Sequence, residues 1–337
     1  MCNLSDSFIQ HSNNAHFAAY QVVSVAYFCL GLPGHLVALW AFYKEYQSQK
    51  AYLYQIFSAV NHVFLLLSKS SLVFGLELCA GSESNKGVDW FRRNYVLMWF
   101  SAHMSIPLTN IFFTNSVLLA LATTIDRIVA LIKPVAYFKN INYKRHQITA
   151  LLVSSVISIG VNASDSLVRG VVLGPDSLYT ITINSDYSGS IAASVVWYLR
   201  NITLSTSVAG LVVSNGILLR LFRKWQEKIK ILFVTKKIEE AKRKKQETVL
   251  FILTVSQSFL NFIAVTALIF FYMGMSYVHS FLACYGLFYG SLLDATQMIC
   301  DMLEFYMVFI GSKQFRKILI DSMGRKNVVG VSGAPLC

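Results

Sequence analysis

Charge is scarce in this chain of 337 residues: Asp, Glu, Lys and Arg together make up 14%, against about 25% in an average soluble domain. With 55% apolar residues and a mean hydropathy of +0.52, that scarcity excludes a disordered chain and speaks against an ordinary soluble globule. The six cysteines are scattered and show no CxxC spacing, so neither a zinc site nor a dense disulfide framework is indicated. HExxH, GxSxG and P-loop motifs are absent. No catalytic residue, metal ligand or cofactor is therefore assigned, and the expectation is a protein that is not an enzyme. The first sixteen residues are polar, so no cleavable signal peptide is expected ahead of the first apolar run. No internal repeat stands out.

What is present is a succession of long apolar runs. A helix needs about 20 such residues to cross a bilayer. Seven candidate spans follow, at 18–42, 52–78, 95–125, 147–173, 190–219, 248–273 and 281–310. The fold class expected is all-α, a seven-transmembrane helix bundle. The fourth span carries Ser154, Ser155, Ser158, Asn162, Ser164 and Asp165, and the fifth carries Arg200 and Asn201. Polar residues are costly against lipid, so these two helices should turn them toward the bundle interior.

The net charge of +12 is segregated. Apart from Arg127 at the end of span three, twenty-two of the 29 Lys and Arg lie between spans one and two, after span three, within 220–247, or after span seven. The opposite loops hold three: Lys86, Arg92 and Arg93. The cation-rich side of a membrane protein is cytoplasmic. This predicts an extracellular N-terminal tail (1–17), a membrane domain (18–310) with a basic third cytoplasmic loop (about 220–247), and a cytoplasmic C-terminal segment (311–337). The pattern reports orientation in a lipid bilayer and not nucleic-acid binding. Asn3-Leu4-Ser5 is a glycosylation sequon in the outer tail; the sequons at Asn162 and Asn201 fall inside spans.

The sharpest local feature closes span three: Asp126-Arg127-Ile128-Val129-Ala130, then Pro134. An acid and an arginine sit side by side where a long apolar helix meets the cytoplasm. Arg127 can pair with Asp126 or with an acid on a neighbouring helix. Span seven carries Asp294, Gln297, Asp301 and Glu304 at spacings that place all four on one helical stripe. Such a stripe must face the interior. It is expected to share an intramembrane polar network with His35, Asn61, Lys69 and Ser116.

The Asp126-Arg127 pair, with Ala130 and Pro134 behind it, resembles the third-helix signature of rhodopsin-like G-protein-coupled receptors. Gly31-Leu32-Pro33-Gly34 resembles the first-helix pattern of that family, and Ser312–Lys317 resembles its short amphipathic helix after span seven. The resemblance covers about residues 20–322. The chain departs from the family at several points. His35 stands where Asn is usual, Asn61 replaces the second-helix Asp, and Glu304-Phe305-Tyr306-Met307-Val308 replaces Asn-Pro-x-x-Tyr. No Trp or Pro occurs in 248–273, and no Cys lies in 80–283, so the usual outer disulfide cannot form. This pattern is similar to that of the divergent nematode serpentine chemoreceptors.

The resemblance implies a heterotrimeric G protein on the cytoplasmic face, with Asp126 and Arg127 as the coupling switch and Glu247 as a resting partner of Arg127. It implies a small extracellular ligand, chemosensory in kind, in the outer half of the bundle. Candidates there are Thr109, Asn110 and Phe113 on span three, Trp197, Tyr198 and Asn201 on span five, and Tyr289 and Asp294 on span seven. A short neuropeptide remains an alternative ligand. A channel or transporter using the span-seven acids is the alternative function, although no inverted repeat supports it. Lys69, the one lysine within a span, lies about 12 Å outward from Asn61, and Asp294 lies about 10.5 Å outward from Asp301 at 1.5 Å per residue. The two charges are expected to meet.

Overall fold

A computed structural model describes residues 23, 25–48, 52–73, 92–133, 143–162, 164–174, 177–183, 191–232, 239–277, 295–303, 306–307, 309–310, 316 and 320. The architecture is all-α with one short hairpin. Helix α1 (Leu32–Ser48) continues from a π-helical turn at Tyr27–Gly31, and α2 is Leu53–Val73. Helix α3 (Tyr95–Phe100) runs through a second π-helical turn, Ser101–Ser105, into α4 (Ile106–Ile132). Both wide turns sit just ahead of a proline, Pro33 and Pro107. A proline brings no N–H, and its ring crowds the carbonyl one turn back; a locally wider turn relieves both problems without ending the helix.

The helix ends are written locally. The Asn94 side chain caps α3 by accepting from the backbone N–H groups of Val96 and Leu97 at 3.1 and 3.3 Å. Helix α4 stops because Lys133 precedes Pro134, and a residue before proline is pushed out of helical geometry. Lys133 accordingly has φ −126° and ψ 62°.

Helix α5 (Tyr143–Asn162) leads through the short turn α6 (Asp165–Val168) into strand β1 (Arg169–Leu173), which pairs antiparallel with β2 (Tyr179–Ile183). This corrects the expected fourth span of 147–173, which ends five residues early. The segment is rich in β-branched residues, and the opposing Tyr-Thr-Ile-Thr-Ile strand offers a partner. The hairpin docks on α3: Arg92 Nε donates to the Tyr179 carbonyl at 3.4 Å, and the Tyr95 and Tyr179 rings meet edge to face at 5.3 Å. Helices α7 (Ile191–Leu232) and α8 (Glu239–Tyr277) complete the described elements. At 1.5 Å per residue each is about 60 Å long, twice the hydrocarbon thickness of a bilayer.

Helix α4 is the axis of the molecule and touches α2, α5, α7 and α8. Phe113, Val117 and Ala120 of α4 form the main core with Leu65 of α2, Leu204, Val208 and Leu211 of α7, and Leu260, Ala264 and Val265 of α8. The distribution of polarity is reversed from that of a soluble protein. His62, Ser116, Gln257, Ser258 and Asn261 are buried, whereas Val156 and Val213 are 68% and 63% exposed. Four helices among the described residues are long and apolar enough to cross a membrane: Tyr95–Ile132, Lys144–Val168, Ser194–Glu227 and Thr248–Ala267. The described residues thus show a helical membrane protein, with four such helices among them. Residues 281–294 of the expected seventh span lie outside the described residues. So do the N-terminal tail and most of the segment expected to form an amphipathic helix after span seven.

Candidate functional site

Polar side chains form three layers along α4, from the hairpin end to the end that carries Asp126 and Arg127. The span between Asn110 and Arg127 is seventeen residues, about 25 Å of helix.

At the hairpin end, Asn110 Nδ2 donates to Asp165 Oδ2 at 2.6 Å, and Arg200 reaches the same oxygen at 3.1 Å. The three residues come from α4, α6 and α7. Beside them, Thr109 donates to the Ser105 carbonyl at 2.8 Å and approaches Ser68 Oγ at 3.2 Å. Lys69, next to Ser68 on α2, donates to Gln297 Oε1 at 2.7 Å. An ammonium buried among leucines must find an acceptor, and here an amide oxygen supplies one. Asp294, the acid expected to meet it, lies outside the described residues.

The middle layer is a set of hydrogen-bonded groups, two of them joined by ring stacking. His35 and His62 stack with ring centroids 5.0 Å apart and planes 9° apart. His35 Nε2 donates to the Asp301 carbonyl at 2.9 Å, while Tyr27 donates its phenol to Asp301 Oδ2 at 3.3 Å. His62 Nδ1 donates to the Ser58 carbonyl at 2.8 Å. Carbonyls only accept, so these two bonds define which ring nitrogens carry hydrogen. Ser116 Oγ then lies 3.1 Å from His62 Nε2 and 3.2 Å from Asn261 Oδ1. With His62 neutral both are acceptors, and one hydroxyl hydrogen serves two of them. Asn61 donates to the Phe112 carbonyl and accepts from Asn115, each at 2.8 Å. Gln257 donates to Ser58 Oγ, tying α8 to α2.

At the far end, Thr124 and Ser258 hydroxyls bond at 3.1 Å across α4 and α8. Arg127 pairs with Asp126 at 2.5 Å, with side chains 4% and 6% exposed. Tyr54 of α2 is close enough for its phenol to feel both charges.

The structure thus brings together Thr109, Asn110, Lys69 and Gln297 near one end, His35, Asn61, Ser116 and Asp301 in the middle, and Asp126 with Arg127 at the other end. Phe113 is packed into the apolar core. Asn201 is half-buried and Tyr198 exposed on α7. Trp197 and Glu247 are helical positions of α7 and α8, but their side chains lie outside the described residues. Asn3, Tyr289, Asp294 and Glu304 lie outside them altogether. Sequence reasoning did not single out His62, Gln257 and Asn261, nor the joining of Asp165 to Arg200. A signal existed for the α8 pair: Gln257 and Asn261 are four residues apart in a mostly apolar run, on one face.

No protein-family model matches the chain, and no curated protein matches it either.

Proposed function

We propose that the chain is a seven-span receptor of the plasma membrane that passes the binding of a small extracellular ligand to a heterotrimeric G protein. In this reading the N-terminus is outside and the C-terminus cytoplasmic, by the charge asymmetry of the loops. The four long helices are joined by α1, α2 and the apolar run 281–310 to make seven. The observation that carries the proposal is the buried Asp126–Arg127 pair at the end of the central helix, one turn from the Thr124–Ser258 bond to α8. Movement of α8 away from α4 breaks that bond and opens a path from the pair to the cytoplasm. Ligand at the hairpin end drives this only by binding the open arrangement more tightly than the closed one. The polar middle layer supports such a two-state bundle, because its hydrogen bonds can exchange partners without any group being stranded in hydrocarbon.

The test records G-protein nucleotide exchange and membrane current together, in cells expressing the chain and challenged with a library of small water-soluble and volatile compounds. A responding compound should raise exchange. Arg127→Lys, which keeps the charge but loses the planar fork, should abolish that response at unchanged surface level. A current without nucleotide exchange, undiminished by Arg127→Lys, would overturn the receptor reading.

A further inference from the structure

The cluster at the hairpin end has an unusual chemical stoichiometry. Asp165 Oδ2 receives both Asn110 and Arg200, and among the described residues Asp165 Oδ1 receives nothing. Among the described residues Arg200 engages one of its five N–H groups, at a single N···O contact of 3.1 Å. An arginine and a carboxylate that serve only to clasp two helices favour the two-pronged, parallel arrangement, which satisfies both sides at once. Here the pair is offset, and each partner presents an unfilled edge. Those edges are not sealed: the side chains are 11% and 18% exposed, and neither group is among the buried atoms that lack a partner. The position lies between α4, α6 and α7, just ahead of the hairpin.

We infer that Asp165 and Arg200 form a binding site for a small α-amino-acid-like zwitterion, whose carboxylate takes the open guanidinium edge of Arg200 and whose ammonium takes Asp165 Oδ1. Two opposite host charges call for two opposite ligand charges. A ligand with only a carboxylate is repelled by Asp165, and one with only an amine is repelled by Arg200. The host charges are in contact, so the ligand's charges must stand on adjacent positions of one small skeleton. That geometry fits an α-amino acid and not the two distant ends of a peptide. Asn110 holds the Asp165 carboxylate in place through the oxygen that the ligand does not use, and acts as a positioning residue.

The inference deepens the receptor reading and rests on it for the side of the membrane on which the site opens. The experiment uses the full chain, purified into lipid nanodiscs, with equilibrium binding and thermal unfolding as readouts. The probes are the twenty protein α-amino acids and, for each that binds, the matching acid without the amine and the matching amine without the acid. At least one amino acid should bind saturably and raise the unfolding temperature. Each singly charged analogue should bind at least about tenfold more weakly, the loss of one charge-assisted hydrogen bond. Arg200→Gln and Asp165→Asn should each weaken binding by a similar factor. If either variant fails to fold, the analogue series on the unaltered chain decides. The inference is overturned if no amino acid binds, if the carboxylate-only analogue binds as well as the amino acid, or if binding survives both substitutions. Nucleotide exchange is measured separately. Amino-acid binding without exchange sinks the receptor reading and leaves the site standing, whereas exchange driven by some other compound, with no amino acid bound, does the reverse.

Discussion

Lys69 shows at the scale of one residue how a membrane interior dictates pairing. Its ammonium is buried on an apolar helix, where a charge without hydrogen bonds is costly. Its contact with Gln297 at 2.7 Å is a charge-assisted hydrogen bond between α2 and the helical stretch 295–303. We expect a double-mutant cycle of Lys69→Met and Gln297→Leu, measured by unfolding in bicelles, to give a coupling of about 1.5–3 kcal/mol. The lysine has further interactions, so its single substitution should cost more than that of the glutamine. Strictly additive losses would show that the contact is incidental. The stacked His35 and His62 make the same point: His35 is held by the distant Asp301 carbonyl, and His62 by the Ser58 carbonyl one turn back in its own helix.

Helices α4 and α7 meet closely at one glycine, Gly210. A methyl group added at Gly210 would come 3.3 Å from Leu121 Cδ1 of α4, tighter than ordinary contact, whereas one added at Gly216 on the same helix meets nothing within 4 Å. Gly210→Leu should therefore overpack the α4–α7 interface and destabilise the protein by about 1–3 kcal/mol. Gly216→Leu should be neutral or stabilising by up to about 1 kcal/mol through helix propensity alone. Equal effects of the two on unfolding temperature would show that α4 and α7 are not packed at this point. The hairpin is the other informative element. With no cysteine in 80–283 to staple it, it is held by Arg92, by the Tyr95–Tyr179 ring contact and by the 2.6 Å bond between His103 Nδ1 and the Ser166 carbonyl.

For the whole molecule, orientation is the property to test first. Asn162 is fully buried, with its amide bonded to Thr114 Oγ1 at 3.0 Å and to the Ser158 carbonyl at 2.8 Å. It cannot carry a glycan in the folded chain. Glycosylation is expected at Asn3 alone: Asn3→Gln should abolish the mobility shift on enzymatic deglycosylation, and Asn162→Gln should leave it intact. A shift that persists in Asn3→Gln and disappears in Asn162→Gln would overturn the placement of Asn162 within a span.

Helix formation and the inside-out distribution of polarity were determined by the sequence itself. Hydropathy acts locally, residue by residue, and a polar group such as Ser158, Gln257 or Asp301 has only the bundle interior to face wherever its helix runs. The capping of α3 by Asn94 and the end of α4 before Pro134 were likewise written in neighbouring residues. Only the tertiary structure decided which polar groups meet. Asp165 found Asn110 and Arg200, and Lys69 found Gln297, because partners depend on the rotation and axial register of helices far apart in the chain. A shift of one residue turns a helix by about 100° and moves a side chain to another face. The same holds at 169–173, where an apolar run that reads as the end of a span becomes a strand. Its backbone groups can be satisfied by a helix or by a neighbour, and it is the nearness of Tyr179–Ile183, set by docking on α3, that selects the neighbour.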